Sequence, residues 1–243
     1  TLYAISGKFA LQAFVAVFTS FSCVIVLLAP ANGRRDRLGR GFATVLEGTA
    51  ALAGLVSIDL FSTRLLSTPV LSLLGLFTQD YAVLNPVEAG VRMNSLFTNP
   101  NVFSGCMGIG VFLSLGLALT SRRKGGRRFH LACLYLNALS FFLAFSMGAS
   151  AAIAAGFLAY LLLERRRSRG AVLVLMSETL VLVAAAGFLV SATSLTEWSG
   201  FQPIPLACAA IGAALLCAAD QHLGQRLGRA LEAHDRVVPV LMA

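Results

Sequence analysis

The sequence predicts an all-α fold, a polytopic bundle of transmembrane helices. The chain has 243 residues, of which 57% are hydrophobic and 12% are charged, and its mean hydropathy is +0.80. An average soluble domain carries about 25% charged residues, so the charges here are too few to cover a globular surface. Intrinsic disorder is excluded as well, because it requires low hydrophobicity. A membrane protein remains, in which lipid surrounds most side chains.

The basic residues are concentrated between the apolar runs. Sixteen of the 19 Lys and Arg residues lie in four clusters, at 34–40, 122–128, 165–169 and 226–236. Lys and Arg resist translocation and therefore mark cytoplasmic loops. We interpret the net charge of +8 as a determinant of topology, with membrane lipids as a further contact and no nucleic-acid partner.

The apolar runs predict one transmembrane domain over 1–243 with about seven spans and the start of an eighth. The spans are 9–30, 42–61, 101–120, 129–147, 149–163, 171–191 and 204–219. Most approach the roughly 20 residues that cross a bilayer. The run 129–163 is divided at Gly148, because seven crossings place all four basic clusters on one side. The N-terminus of the chain is then outside.

Two flanking segments carry separate expectations. The segment 62–100 is a long extracytoplasmic loop, and the apolar residues in its first half recur with a helical period. The segment 220–236 is an amphipathic helix on the cytoplasmic face, with leucines four residues apart at 223, 227 and 231. An apolar stretch follows at 237–243, so we expect the chain to be truncated at both ends.

The end of the outer loop is a candidate anion site. Asn99 and Pro100 are a favourable N-cap and first residue for the next helix. Helix N-termini attract phosphates, and an Arg can bind phosphate through two parallel hydrogen bonds. Arg92 lies seven residues before the cap. The alternative is that Arg92 only reaches lipid headgroups, beside an ordinary cap.

Two sequence motifs resemble a known family. Arg92-x-x-Ser95-Leu96-Phe97-x-Asn99-Pro100-Asn101 is similar to a motif of the O-antigen ligase and O-antigen polymerase family, at the outer start of a membrane helix. The second is a Ser-Arg-Gly-like turn between later helices, for which this chain has Ser146-Met147-Gly148, with Met147 where the family usually has Arg. The resemblance covers about residues 40–190.

The resemblance implies a glycosyltransferase of the bacterial plasma membrane. Such enzymes transfer or polymerise an undecaprenyl-pyrophosphate-linked glycan on the outer face, with a glycan or a lipid as the acceptor. They use no metal or other cofactor. By this resemblance Arg92 is the catalytic clamp on the leaving pyrophosphate, and the substrate-binding candidates are Arg64, Asn99, Asn101 and Ser146.

The family's base is often a His on a late outer loop. The three histidines here, His130, His222 and His234, all map to the cytoplasmic side. We therefore expect the base beyond Ala243, and residues 1–243 alone to be inactive.

A transporter of a small or lipid-linked solute is the alternative function. Ionisable groups within membrane spans are costly and are functional candidates by default. Asp59 and Glu178 are the acids that a transporter would use for ion or proton coupling. The alternative for each is a protonated or hydrogen-bonded acid buried between helices, and Asp59 also lies close enough to the outer end of its span to join an outer-face site. Glu47, near the inner end of its span, is expected to be a hydrogen-bonded or protonated acid between helices.

We predict that reporters fused at Gly125 and at Ser168 are cytoplasmic and that one near Val83 is external. The reason is that the basic clusters at 122–128 and 165–169 resist translocation. Fusions to a reporter that is active only outside the cytoplasm measure this. External activity at Gly125 would contradict the topology.

Overall fold

A computed structural model describes residues 33–73, 84–87, 90–93, 99–163, 166–193 and 201–224. The chain divides into two compact units, Thr1–Leu46 and Glu47–Ala243. The described part of the first unit is helical. The predicted span 9–30 lies outside the described residues, as does most of the predicted helix 220–236.

Helices make up nearly all of the described residues. Within the described ranges there are seven α-helices: α1 Gly33–Leu60, α2 Ser67–Leu73, α3 Pro100–Thr120, α4 Lys124–Leu143, α5 Met147–Leu163, α6 Arg166–Thr193 and α7 Ile204–Ala219. A π-helical turn, Asp220–Gly224, continues α7. The prediction of a helical architecture is confirmed for these residues.

Four of the helices are long and apolar enough to cross a membrane, by length and composition. They are Leu38–Leu60, Pro100–Thr120, Arg169–Ala192 and Ile204–His222. A shorter apolar helix, Met147–Leu163, has 17 residues. A membrane-embedded helical protein follows from these segments, whereas the count of about seven spans stays a prediction.

The long apolar run 129–163 is broken, as the sequence suggested. α4 ends at Leu143 and α5 begins at Met147, so the break lies a few residues before Gly148. At the turn, Phe145 has a φ of 46°, a left-handed conformation that is uncommon for a bulky residue. The chain therefore reverses between two separate helices.

The segment 62–100 contains more regular structure than the sequence indicated. Its first half holds α2, which begins at Ser67 and ends at Leu73. Its second half holds an antiparallel hairpin of β1, Leu84–Val87, and β2, Gly90–Met93. These strands are not evident from the sequence, because each has only four residues and β1 contains a proline.

α4 is the central helix of the second unit, since it packs against α3, α6 and α7. Its buried face carries Tyr135, Leu134 and Leu139, none of which has exposed surface. α3 and α4 run in opposite directions, since Asn101 at the start of α3 meets Ser146 just after α4, and Gly110 further along α3 meets Asn137. We call the end at which α3 begins and α4 ends the asparagine end, after Asn99, and the opposite end the arginine end, after Arg127.

Glycines allow the helices to approach α4 closely. A Cβ placed on Gly212 of α7 would lie 2.0 Å from the phenol oxygen of Tyr135. A Cβ on Gly110 of α3 would lie 2.7 Å from the amide carbon of Asn137. Small residues at such crossings are typical of membrane helices, in which tight packing provides much of the association energy.

We predict that Gly212→Ala destabilises the protein, whereas Gly116→Ala does not. The added methyl at 212 would displace Tyr135, whose hydroxyl donates to the Cys208 carbonyl at 3.1 Å. Overpacking of this kind costs about 1–3 kcal/mol. A Cβ at Gly116 meets nothing within 4 Å, so that variant is the matched control. Thermal unfolding in detergent measures both, and equal Tm values would contradict the packing of α7 on α4.

Candidate functional site

The asparagine end brings together three of the predicted site residues. Asn99 is the N-cap of α3, and its side-chain oxygen accepts a hydrogen bond from the backbone N–H of Asn101 at 2.9 Å. The hydroxyl of Ser146 donates to the side-chain oxygen of Asn101, also at 2.9 Å. The predicted cap and the proline at the helix start are confirmed. Two motifs 45 residues apart therefore meet through one hydrogen bond.

Ser146 is fixed in place by the turn between α4 and α5. Its hydroxyl oxygen accepts from the backbone N–H of Ala149 at 3.3 Å, which caps the start of α5. Its carbonyl accepts from the hydroxyl of Ser150 at 2.9 Å. The residue is 4% exposed, whereas Asn99 and Asn101 are exposed. The turn therefore presents a buried hydroxyl to an accessible asparagine pair.

Met147, the next residue after Ser146, is exposed where Ser146 is buried. Its side chain is 89% exposed, on the outer surface of the first turn of α5. An arginine at this position would extend from the surface beside the Asn101–Ser146 contact, whereas the thioether of Met147 carries no charge.

Arg92 lies on β2, with its backbone paired to Asn85 of β1. The side chain of Arg92 falls outside the described residues, as does the segment 94–98 that leads to Asn99. The role of Arg92 as an anion clamp stays a prediction.

Asp59 organises the loop that follows α1. It is fully buried, and its two carboxylate oxygens accept from the hydroxyl of Thr63 at 2.5 Å and from the backbone N–H groups of Leu66 and Ser67 at 2.8 Å. These three hydrogen bonds hold the start of α2. They favour a structural role for Asp59 over the transport role considered from sequence.

Arg64 lies in the same loop, in the left-handed region at a φ of 58°. Its Nε donates to the Leu60 carbonyl at 3.1 Å, which caps the last turn of α1. Partial burial lowers the pKa of the Arg64 guanidinium from its ordinary value, although an arginine stays protonated. Arg64 is thus a fixed positive charge at the asparagine end.

Glu178 belongs to an ionic cluster at the arginine end. The guanidinium of Arg127 binds both carboxylate oxygens of Asp220, at 2.6 and 2.8 Å, and donates to the Ala118 carbonyl at 3.0 Å. Glu178 interacts electrostatically with both Arg127 and Asp220. Its own oxygens are buried and have no hydrogen-bond partner among the described residues. The cluster joins α4, α6 and α7, so it is separate from the asparagine pair.

Glu47 is a buried, hydrogen-bonded acid, as expected from the sequence, but its partner His130 was not predicted. The Nδ1 atom of His130 is hydrogen-bonded to Oε1 of Glu47, which has no exposed surface. These residues are 83 positions apart, so no local spacing could have revealed the contact. The available signal was chemical: a lone acid and a lone imidazole within apolar helices each require a partner.

The arrangement of these groups limits what each end can do. The asparagine end offers amide and hydroxyl groups, which hydrogen-bond sugars or phosphates, together with the charge of Arg64. In the described ranges, no cluster of three His, Cys, Asp or Glu residues has the geometry to hold a metal ion. The acids and the imidazole lie in the helices, where proton exchange is the accessible chemistry.

We predict that Asp220→Asn destabilises the protein by about 2–3 kcal/mol, because it leaves the charge of Arg127 without its bidentate partner. This predicted loss is smaller than the loss expected for a fully buried ion pair, because 22% of the Arg127 side chain is exposed. Arg127→Met combined with Asp220→Asn should recover part of the loss.

The matched control for this prediction is Arg128→Gln, which alters an exposed contact with Gln221 and should cost less than about 1 kcal/mol. Chemical unfolding in detergent measures all four proteins. An Asp220→Asn variant as stable as the parent would contradict the ionic cluster.

Comparisons with known proteins identified no relative. The chain matched no protein-family model, no curated protein and no solved structure. The interpretation of the site therefore depends on its residues and their geometry.

Proposed function

We propose that this protein is a membrane glycosyltransferase of the bacterial plasma membrane. It transfers or polymerises an undecaprenyl-pyrophosphate-linked glycan on the outer face, where the asparagine end lies. The observation that carries the proposal is the hydrogen bond from Ser146 to Asn101. It joins the two separate segments that resemble the O-antigen ligase and polymerase family.

The chemistry requires a stabilised leaving group. An acceptor hydroxyl attacks the anomeric carbon of the donor, the bond from that carbon to the pyrophosphate oxygen breaks, and the hydroxyl proton passes to a base. Negative charge grows on the departing pyrophosphate, and in many enzymes fixed donors aimed at such charge contribute more to the rate than any other effect. Arg92 supplies this charge compensation, with Arg64 as a second cation in the loop after α1.

The asparagine pair and Ser146 position the donor. Asn99 and Asn101 are exposed at the start of α3, where the positive end of the helix dipole adds to their hydrogen-bonding capacity. Ser146 is hydrogen-bonded to Asn101 and holds it against the start of α5. In this arrangement the turn before α5 sets the geometry of the binding groups, and Arg92 supplies the catalytic charge.

A transporter is the second candidate, and one observation favours it. The carboxylate oxygens of Glu178 are buried without a hydrogen-bond partner in the described part of the chain, although Arg127 and Asp220 are near. An acid in that state suits a site that exchanges ions or protons. Asp59, with its three hydrogen bonds, no longer supports this function.

We predict that Arg92→Ala depresses glycan transfer about a hundredfold or more and that Arg92→Lys restores it only partly. Lysine keeps the charge but loses the two-pronged geometry, and the loss should appear mainly in turnover because leaving-group charge grows in the transition state. The assay is accumulation of undecaprenyl-linked glycan in cells that produce the intact protein, with membrane levels matched.

Arg122→Ala is the control, since Arg122 is an exposed arginine at the opposite end. Full transfer activity in Arg92→Lys would favour the alternative in which Arg92 only contacts lipid headgroups. Normal transfer by Arg92→Ala at normal protein levels would refute the proposal and strengthen the transporter.

A further inference from the structure

The contact between Glu47 and His130 lies deep in the bundle. Glu47 is the tenth residue of the span Leu38–Leu60, about 14 Å from its start at 1.5 Å per residue. The sequence places Glu47 near the membrane surface instead, because the span is predicted to begin at residue 42. An ionised carboxylate at this depth is costly unless it is paired.

Both members of the pair are buried, Glu47 completely and His130 less so. The side chain of Glu47 has no exposed surface, whereas that of His130 is 11% exposed. Nδ1 of the ring binds the Glu47 carboxylate, so the other ring nitrogen, Nε2, is the atom that can exchange protons with a donor. The edge of Phe129 packs near the imidazole, at 5.6 Å between ring centroids.

Polar groups surround the Glu47 side of the pair and satisfy it only in part. Ser114 of α3 lies beside the Glu47 carboxylate, and Asn137 donates to the Ser114 hydroxyl at 3.4 Å. Yet Oε2 of Glu47 and the side-chain oxygen of Asn137 are buried without hydrogen-bond partners among the described residues. A purely structural ion pair usually has every buried polar atom satisfied. Unsatisfied acceptors are suited to a site that takes up a proton.

We propose that Glu47 and His130 form a proton-binding site that loads from the His130 ring. Hydronium gives a proton to Nε2 and leaves water, the Nδ1–H bond breaks, and that proton forms an O–H bond with Glu47. The imidazole is neutral before and after the step, and the pair changes from a net charge of −1 to zero. The site is independent of the proposed transferase activity, because it lies between helices and away from the asparagine pair.

The groups that face the site define its titration. Glu47 comes from α1, and His130 comes from α4, which also supplies the thiol of Cys133 close enough to interact with the carboxylate. α3 contributes Ser114, which does not titrate in this range. Glu47 and His130 are thus the groups that exchange the proton, with Cys133 as an adjacent thiol.

Infrared difference spectroscopy of the purified protein between alkaline and acidic pH tests the proposal. The parent should gain a protonated-carboxyl band that Glu47→Gln lacks, and the difference between the two proteins should correspond to one group per chain. His130→Gln should show the Glu47 band already at alkaline pH, because an unpaired buried carboxylate is too costly to stay ionised. Glu178→Gln is the matched control and should keep the Glu47 band.

Ser114→Ala keeps both proton partners and should shift the position of the band without removing it. Ser114→Ala therefore replaces Glu47→Gln as the test variant if Glu47→Gln fails to fold. A parent spectrum with no pH-dependent carboxyl band that responds to Ser114→Ala or Glu47→Gln would overturn the proposal. If Glu47→Gln lowers the thermal stability but the parent lacks that band, the pair only stabilises the fold, and the proposal is overturned.

Discussion

The polar side chains of α4 must find partners inside the bundle, because a membrane interior has no water to replace them. Arg127 is paired with Asp220 near the arginine end, and His130 is paired with Glu47 less than one turn further along the helix. Asn137 bonds Ser114 and the Glu47 carbonyl still further along. Each contact fixes a neighbouring helix against α4 at a different depth. The rest of the helix packing depends on these polar contacts, because apolar side chains gain little from leaving lipid for another apolar helix surface.

Close helix approach makes this polar pairing possible. The amide of Asn137 occupies the space beside Gly110, where any side chain would collide with it. Tyr135 lies similarly against Gly212 and donates to the Cys208 carbonyl one turn away. The close packing of these helices also positions the asparagine end, where the turn after α4 brings Ser146 to Asn101. A site built on helix ends is thus positioned by polar contacts within the membrane.

The sequence was sufficient for features with a local cause and insufficient for contacts between distant segments. α7 spans Ile204–Ala219 as its apolar run predicted, and α3 begins with the Asn99 cap and Pro100 that the start signal indicated. The hairpin was not predicted, because its four-residue strands are too short to show an alternation of apolar and polar residues. The Glu47–His130 contact depends on how α1 turns toward α4, which hydropathy does not encode. Likewise, the loop contacts of Asp59 required side-chain geometry that an acid in an apolar run does not reveal.

The packing of α1 on α4 is the claim on which the buried pair depends, and a single cross-link tests it. A Cβ on Gly54 would lie 3.1 Å from the Cβ of Ser140. This is shorter than the separation of about 3.5–4.5 Å in a disulfide, so a shift of less than about 1 Å between the helices brings the two cysteines into bonding range. With the five native cysteines replaced by alanine, Gly54→Cys with Ser140→Cys should oxidise readily in native membranes. After cleavage at a protease site inserted near Val83, the two pieces should remain joined until they are reduced. Gly48→Cys with Ser140→Cys is the control and should let the pieces separate, because Gly48 lies beside Phe129, about three turns of α4 before Ser140. Separation of the pieces that carry Gly54→Cys and Ser140→Cys under oxidising conditions would contradict the account.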